Sequence, residues 1–172
     1  TGEGILKSAK YALDYYNIEA PEYTELTFFI GPPLLVTFQE KFGVDANMAD
    51  KLLKKYRERY TNKGLLESEL YDGIKELLSK LKKENIKLGI ASSKPQDYVE
   101  ALLDHYGVKS YFDVICGVTF SADCESKANI ISRCIKELDT QGNETLMVGD
   151  KKYDIDGAKA NMIDSVGVMW GY

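Results

Sequence analysis

An apolar run that ends in a glycine and leads into two aspartates decides the fold: Leu146-Met147-Val148-Gly149-Asp150-Lys151-Lys152-Tyr153-Asp154. The run predicts a buried strand, and the glycine predicts a turn into a helix. Asp150 and Asp154 would then share one helix face, where like charges four residues apart repel each other. Mg²⁺ would relieve that repulsion, because it prefers hard oxygen ligands. Alternatively, both carboxylates favour the positive end of the helix dipole without a metal.

Helices and strands alternate around this stretch, from Tyr71 to the last residues of the chain. The predicted strands are residues 86–91, 112–116, 145–148 and 165–169, and the predicted helices are residues 74–81, 95–106, 126–138 and 155–161. This alternation predicts right-handed crossovers. The expected fold class is therefore α/β, with a Rossmann-like, mostly parallel sheet covered by helices on both faces.

The preceding part of the chain is helical in pattern throughout. The predicted helices are residues 4–16, 22–29, 34–42 and 45–60, with breaks at Pro21 and at Gly31-Pro32-Pro33. Its aromatic residues recur at helical spacing and are expected to form a core rather than a base-stacking platform; they include Tyr15, Tyr16, Phe28, Phe29, Tyr56 and Tyr60. The pattern changes near Gly64, so we predict a helical domain over residues 1–65 and an α/β domain over residues 66–172.

Composition narrows the class of protein. Of the 172 residues 44% are hydrophobic and 28% are charged, and no apolar run approaches the roughly 18 residues that span a membrane. The net charge of -5 and the scattered lysines argue against a nucleic-acid partner. We therefore expect a globular cytoplasmic protein, a monomer or a homodimer, that contacts neither membrane nor nucleic acid.

The cysteines and the single histidine do not indicate a zinc site or a Ser-His-Asp catalytic arrangement. Cys116, Cys124 and Cys134 lack the close pairs of a zinc site and are expected to be reduced thiols. His105 lies beside apolar helical positions, which favours a packing or surface role. A Ser-His-Asp arrangement has no other candidate base.

Polar residues cluster where the predicted strands end, and open parallel sheets bind ligands outside those ends. Ser92 and Ser93 follow the strand over residues 86–91, Lys127 follows the next strand and its loop, and Asp150 closes the third. We expect these residues to converge on one crevice. Ser92 offers a hydroxyl donor, and a phosphate at the next helix start would use that hydroxyl together with backbone N–H groups.

Each of these residues also has a simpler interpretation. Ser93 is expected to cap the helix that follows it, with Pro95 in the first turn. Most isolated lysines are merely solvated. Lys127, however, would lie in the first turn of a helix, where the dipole disfavours a cation unless an anion is nearby.

Three features of the chain resemble, in order and context, the second, third and fourth motifs of the haloacid dehalogenase superfamily. They are Ser92 at a strand end, Lys127 at a helix start, and the stretch Val148-Gly149-Asp150-Lys151-Lys152-Tyr153-Asp154. The resemblance is closest to its phosphoglycolate phosphatase-like branch, which carries a helical cap. It covers essentially the whole chain, from the cap start at Thr1 to the Trp170-Gly171-Tyr172 turn.

The resemblance implies a phosphatase that hydrolyses a small phosphate monoester with Mg²⁺ through an aspartyl-phosphate. It implies that Ser92, Ser93 and Lys127 bind the phosphoryl group, that Lys127 and Asp150 act in catalysis, and that Asp150 and Asp154 hold the metal. In this interpretation Asp154 orients Asp150 or a metal-bound water. The cap segment Gly31-Pro32-Pro33 would lie over the leaving group, although a plain turn is nearly as well supported.

One motif of the superfamily is not found. Its Asp-x-Asp-Gly-Thr, which supplies the nucleophile, is expected upstream of Thr1, and further core structure is expected after the last turn. Asp154-Ile155-Asp156-Gly157 imitates the pattern, but it follows Lys151-Lys152-Tyr153 instead of an apolar strand. A sheet without its first strand would leave neighbouring strands unpaired.

Three alternatives stay open at this stage. A phosphomutase would share the site, and a non-catalytic domain could keep the phosphate and metal pocket without the nucleophile. A dehalogenase is disfavoured, because carbon–halogen displacement does not require Mg²⁺. The substrate could be phosphoglycolate, a nucleotide, pyrophosphate or a sugar phosphate.

Overall fold

The computed structural model describes residues 2–119 and 125–171, apart from the side chain of Asn143. The chain divides into two compact units, Thr1–Leu70 and Tyr71–Tyr172. The first unit is helical and the second contains all the described strands. The assignment of these parts as cap and catalytic core stays a prediction.

The helical unit contains three helices: α1 (Gly2–Tyr15), α2 (Leu34–Phe42) and α3 (Ala46–Asn62). The Asp45 side chain accepts a hydrogen bond from the Met48 N–H (2.8 Å) and so caps α3. The helices α1 and α2 both pack against α3. Fully buried core residues from these elements include Ala12, Leu13, Phe38 and Leu52.

Two features of this unit differ from prediction. The segment 22–29 forms two short 3₁₀ turns, Tyr23–Glu25 and Thr27–Phe29, because its β-branched threonines disfavour a regular helix after Pro21. Phe29, Tyr56 and Tyr60 are buried as expected, but Tyr15 is 58% exposed. Its ring instead lies under the Lys55 ammonium, 3.9 Å from Nζ, in a cation–π contact.

The second unit alternates between helix and strand, which confirms the α/β prediction. In chain order it contains α4 (Ile74–Lys83), β1 (Gly89–Pro95), α5 (Gln96–Tyr106), β2 (Val114–Val118), α6 (Lys127–Leu138), β3 (Leu146–Gly149), α7 (Lys152–Ala160) and β4 (Asp164–Gly167). The strand β1 begins later than predicted because side chains hold the segment before it. Lys87 Nζ donates to the Leu138 carbonyl at the end of α6 (2.8 Å), and the Leu88 N–H donates to Asp113 Oδ2 (2.8 Å).

The described strands form two parallel pairs, β1 with β2 and β3 with β4, instead of one continuous sheet. Gly89 pairs with Val114 at one end of the first pair, and Leu146 with Asp164 at one end of the second. The helix α6 packs against β1, β2 and α7. Ile130 of α6 packs with Cys116, and Ile131 packs with Ala158 of α7. The helix α7 in turn packs against β3 and β4, so α6 and α7 together connect the two strand pairs.

The expectation of helices on both faces holds for only one face of the second pair. Met147 packs on the core around Ile131, whereas three apolar side chains on alternate positions are about half exposed: Leu146, Val148 and Val166. Across residues 2–119 and 125–171, no helix is long and apolar enough to cross a membrane.

The predicted packing roles of the remaining residues are largely confirmed. His105 lies exposed on α5, with its ring edge-on to Tyr106. Cys116 and Cys134 are buried free thiols, and burial raises the pKa of Cys116 to about 12. Cys124 lies outside the described residues.

Candidate active site

The candidate residues of the second unit lie where its strands and helices meet. Ser92 and Ser93 lie in the last part of β1, Asp150 follows β3 directly, and Lys127 is the first residue of α6. Asp154 lies in the first turn of α7. Hydrogen bonds described below connect β1, α6 and α7, and they place Lys127 near the residue before Ser92 and near the turn that carries Asp150. That the Ser92, Ser93 and Asp150 side chains share one crevice with Lys127 stays a prediction.

Lys127 bridges two parts of the unit. Its Nζ donates to the Ala91 carbonyl of β1 (2.5 Å) and forms an ion pair with Asp154 Oδ1 of α7 (2.9 Å). The lysine side chain is 13% exposed and that of Asp154 is 9% exposed. Asp154 is therefore the anion that offsets the unfavourable position of a lysine at a helix start. The Lys127 side chain is largely buried and ion-paired, not a solvated surface charge.

Asp154 organises the turn after β3 with its second carboxylate oxygen. Oδ2 accepts hydrogen bonds from the backbone N–H groups of Asp150 (3.1 Å) and Lys151 (3.0 Å). With Oδ1 paired to Lys127, both oxygens are engaged by the protein. This arrangement favours the orienting role for Asp154, and its direct contact with a metal stays a prediction.

Gly149 makes this turn possible because it has no side chain. A Cβ at this position would overlap the Cβ and carboxylate of Asp154. The glycine that the sequence pattern assigned to a turn therefore has a second function, which is to admit the Asp154 carboxylate beneath the strand end.

Asp150 is the exposed carboxylate of the site. Its backbone N–H donates to Asp154, directly after the end of β3. Residues 2–119 and 125–171 contain no cluster of three or more acidic, histidine or cysteine side chains that could hold a metal. Mg²⁺ needs no such cluster, since one or two carboxylates with water and substrate phosphate suffice. Asp150 fits part of a magnesium site of this kind.

Ser92 and Ser93 occupy different positions from those expected. Ser92 is half-buried, and its Oγ accepts a hydrogen bond from the Lys94 N–H (3.1 Å), which leaves its hydroxyl hydrogen for donation. The prediction that Ser93 caps the next helix is wrong. Ser93 is exposed within β1, and Pro95 is the N-cap residue of α5 without a side-chain cap.

Lys94 and Gln96 were missed by the sequence reasoning. Burial lowers the pKa of Lys94 to about 8. Gln96 accepts from the Gly117 N–H (2.5 Å) and donates to the Ile115 carbonyl (3.0 Å), so it fastens the start of α5 to β2. Both residues could have been identified from their position, because they follow Ser92 and Ser93 at the predicted strand end.

The stretch Asp154-Ile155-Asp156-Gly157, which imitates the nucleophile motif, lies inside α7 and does not follow a strand. Asp154 is buried and fully engaged, and Asp156 is exposed on α7, 3.7 Å from Lys152 Nζ. In the helical unit, Gly31, Pro32 and Pro33 are exposed just before α2. Their contact with a leaving group stays a prediction.

Known proteins resemble the chain along its whole length. A 5'-nucleotidase from Pseudomonas aeruginosa is 33% identical over 170 residues, which cover 99% of this chain and 77% of that protein. The tyrosine-protein kinase PtkA of Mycobacterium tuberculosis is 32% identical over 172 residues. The match covers all of this chain, but the chain spans only 58% of the length of PtkA.

The fold of the chain also resembles that of a solved structure. A Clostridium difficile protein, described provisionally as a phosphatase, superposes with a TM-score of 0.92 at 37% identity, over 99% of this chain and 80% of that one. The family model described as haloacid dehalogenase-like hydrolase matches residues 1–168. The chain therefore belongs to the haloacid dehalogenase-like hydrolase family, as its motifs predict.

Proposed function

We propose that the protein is a Mg²⁺-dependent phosphatase that hydrolyses a small phosphate monoester through an aspartyl-phosphate. The observation that carries this proposal is the Ala91–Lys127–Asp154 connection beside the exposed Asp150 carboxylate. It holds one cation and one anion next to each other at the end of a parallel strand, where α/β folds bind ligands. The 5'-nucleotidase and phosphatase names among similar proteins support the same reaction class.

Lys127 has the charge and geometry to bind a transferring phosphoryl group. An ammonium group has three N–H donors, and Ala91 and Asp154 accept two of them. The third donor is proposed to bind a phosphoryl oxygen. Because both existing partners fix the ammonium, little reorganisation is needed when negative charge develops in the transition state.

Ser92 would supply a neutral hydrogen bond to the same group. Its Oγ is fixed by the Lys94 N–H, and its hydroxyl hydrogen is proposed to donate to a phosphoryl oxygen. Ser93, exposed on the same strand, is proposed to contribute a hydroxyl or its backbone N–H. Phosphoryl transfer depends mainly on such positioning and charge stabilisation.

Asp150 is proposed to hold Mg²⁺, and Asp154 to fix the turn from which Asp150 projects. When bound, the metal would supply positive charge beside the phosphate. The nucleophile is proposed to be an aspartate outside residues 1–172, since Asp154 and Asp156 do not fit that role. A second aspartate of the same segment would protonate the leaving alcohol and then activate water.

Substrate selection is assigned to the helical unit, where Gly31, Pro32 and Pro33 are exposed. Nucleotide, glycolate and sugar esters, as well as pyrophosphate, remain candidate substrates. The partner is therefore proposed only as a small phosphorylated metabolite, and the protein as a cytoplasmic monomer or homodimer.

The test is hydrolysis of p-nitrophenyl phosphate by the full-length protein, with Mg²⁺ and after its removal with EDTA. Asp150→Asn removes the proposed metal ligand, and we expect kcat/KM to fall roughly 10²-fold or more, the scale of losing one transition-state charge interaction. Asp156→Asn is the matched control, because that exposed carboxylate lies six residues later, on α7, away from the turn that carries Asp150. Full activity of Asp150→Asn, or activity that survives EDTA, contradicts the proposed metal role.

Product analysis separates the remaining alternatives. A phosphatase releases inorganic phosphate, whereas a phosphomutase returns an isomeric ester. A non-catalytic domain would bind Mg²⁺ and phosphate ester without turnover. Release of inorganic phosphate in proportion to ester consumed is the expected result.

A further inference from the structure

Asp150 rests on the backbone of Gly171, in the segment that follows β4. A Cβ at Gly171 would overlap Cβ, Cγ and Oδ2 of Asp150. No side chain larger than hydrogen fits while Asp150 keeps its present position. The backbone at Gly171 does not adopt the left-handed conformation, so this demand for glycine comes from Asp150 and not from the φ angle.

The segment that presents Gly171 is tied to the rest of the unit at two points. The Val168 N–H donates to the Gly149 carbonyl at the end of β3 (2.9 Å). The Tyr71 hydroxyl, 99 residues earlier in the chain, donates to the Trp170 carbonyl (2.8 Å). The first bond fixes the segment beside the Asp150 turn, and the second holds the residue just before Gly171.

We infer that Gly171 and Tyr71 are positioning residues for the metal-binding carboxylate of Asp150, an inference that rests on the proposed function. An exposed aspartate at a strand end could otherwise occupy several rotamers. The backbone of Gly171 occupies the space on one side of this carboxylate and restricts it to the orientation seen here. Tyr71 acts one step further away, because it holds the segment that carries Gly171.

This arrangement has a direct consequence for metal affinity. A ligand fixed before binding loses less conformational entropy when the metal binds. Partners that orient a metal ligand typically change metal affinity 10- to 100-fold when they are removed. A methyl group at Gly171 must push the carboxylate aside, whereas loss of the Tyr71 hydroxyl only loosens the segment.

The experiment measures Mg²⁺ binding to the full-length protein by isothermal titration, with the metal alone and no substrate. Gly171→Ala is compared with Gly167→Ala, where the nearest atom to an added Cβ is 4.0 Å away and the methyl group has room. Tyr71→Phe is compared with Tyr111→Phe, which removes a hydroxyl elsewhere in the same unit. Melting temperatures of all four variants are recorded in parallel.

We expect Gly171→Ala to weaken Mg²⁺ affinity roughly 10- to 100-fold and Tyr71→Phe to weaken it a few-fold, with both controls unchanged. In steady-state assays both positioning variants should need more Mg²⁺ for half-maximal rate, and saturating Mg²⁺ should restore most of kcat. A merely structural role would lower kcat or the melting temperature without changing the Mg²⁺ requirement.

Wild-type affinity in Gly171→Ala overturns the inference, and so does a lower kcat at an unchanged Mg²⁺ requirement. If Gly171→Ala does not fold, Tyr71→Phe decides, because unchanged affinity in that variant also overturns it. The proposed function is tested separately by turnover. A protein that binds Mg²⁺ through Asp150 yet hydrolyses nothing would refute the phosphatase proposal while the affinity comparison still judges the inference.

Discussion

At the scale of single residues, the ion pair between Lys127 and Asp154 is the main electrostatic interaction of the candidate site. Both side chains are nearly buried, and Asp154 cannot keep its charge there without cost if the lysine is removed. We expect Lys127→Met to lower the free energy of unfolding by about 2–4 kcal/mol, somewhat below the value for a fully buried pair. Urea unfolding followed by circular dichroism at pH 7 measures the change.

Lys152→Met is the matched control for that substitution. Lys152 lies 3.7 Å from Asp156, and its side chain is 86% exposed, so the pair should contribute little. If the two variants had the same free energy of unfolding, the buried ion pair of Lys127 would not contribute to stability, and the prediction would be wrong.

Sequence reasoning predicted where the candidate residues lie better than it predicted their bonds. Lys127, Asp150 and Asp154 could be found because strand ends in a parallel sheet meet at one edge. The engagement of both Asp154 oxygens could not, because it depends on how α6 packs against α7. The lowered pKa of Lys94 likewise arises from burial, which only the folded chain creates.

At the scale of secondary structure, the joint between β3 and α7 depends on Gly149. We expect Gly149→Ala to destabilise the protein by about 1–3 kcal/mol, as overpacking does, because the added Cβ overlaps the carboxylate that caps α7. The melting temperature measures the loss, and the Mg²⁺ requirement of the full-length protein should rise with it as the Asp150 turn shifts.

Gly142→Ala is the control for Gly149→Ala. A Cβ at Gly142 meets its nearest neighbours at 3.5 Å, an ordinary contact, and the residue has no left-handed φ angle. The substitution should be close to neutral or slightly stabilising. If Gly149→Ala melted at the same temperature as Gly142→Ala, the proposed packing of Asp154 beneath the strand end would be wrong.

Amphipathic periodicity explains why most elements were predictable. The helix over residues 34–42 was predicted to the residue, and α3 begins one residue after the predicted start because Asp45 serves as its cap. The start of β1 was not predictable from apolar content, since Ile86 and Lys87 precede the strand and Lys87 is held by the end of α6. Local pattern indicates an element's type and, at α3, its start, whereas a distant partner is involved where β1 begins.

At the scale of the whole molecule, each of the four described strands has one open edge. In the part of the chain that the structure describes, β1 is paired only with β2, and β3 only with β4. The helix α6 packs on the first pair and on α7, which packs on the second pair. Lys127 of α6 donates to the Ala91 carbonyl of β1 and pairs with Asp154 of α7. The sequence predicted parallel strands, and the break between the two pairs agrees with the expectation that a sheet without its first strand leaves neighbouring strands unpaired.

In the proposed mechanism, residues of this chain bind phosphate and metal, whereas the nucleophile is proposed to be an aspartate outside residues 1–172, because Asp154 and Asp156 lie on α7 in ion pairs and Asp150 is assigned to the metal. We therefore expect a protein of exactly this sequence, 19.3 kDa, to show no Mg²⁺-dependent release of phosphate from p-nitrophenyl phosphate. The protein purified from its natural source should have a higher intact mass and should be active.

Mass spectrometry and the phosphate assay on the same two samples check this prediction. A chain of 19.3 kDa that turns over substrate and loses activity in Asp150→Asn would place the nucleophile within these residues and refute the assignment outside them. A heavier natural protein with Mg²⁺-dependent activity would instead show that Lys127, Asp150 and Asp154 form only half of a site. The other half would then be supplied by residues whose carboxylate must reach a phosphate held beside the Lys127 ammonium.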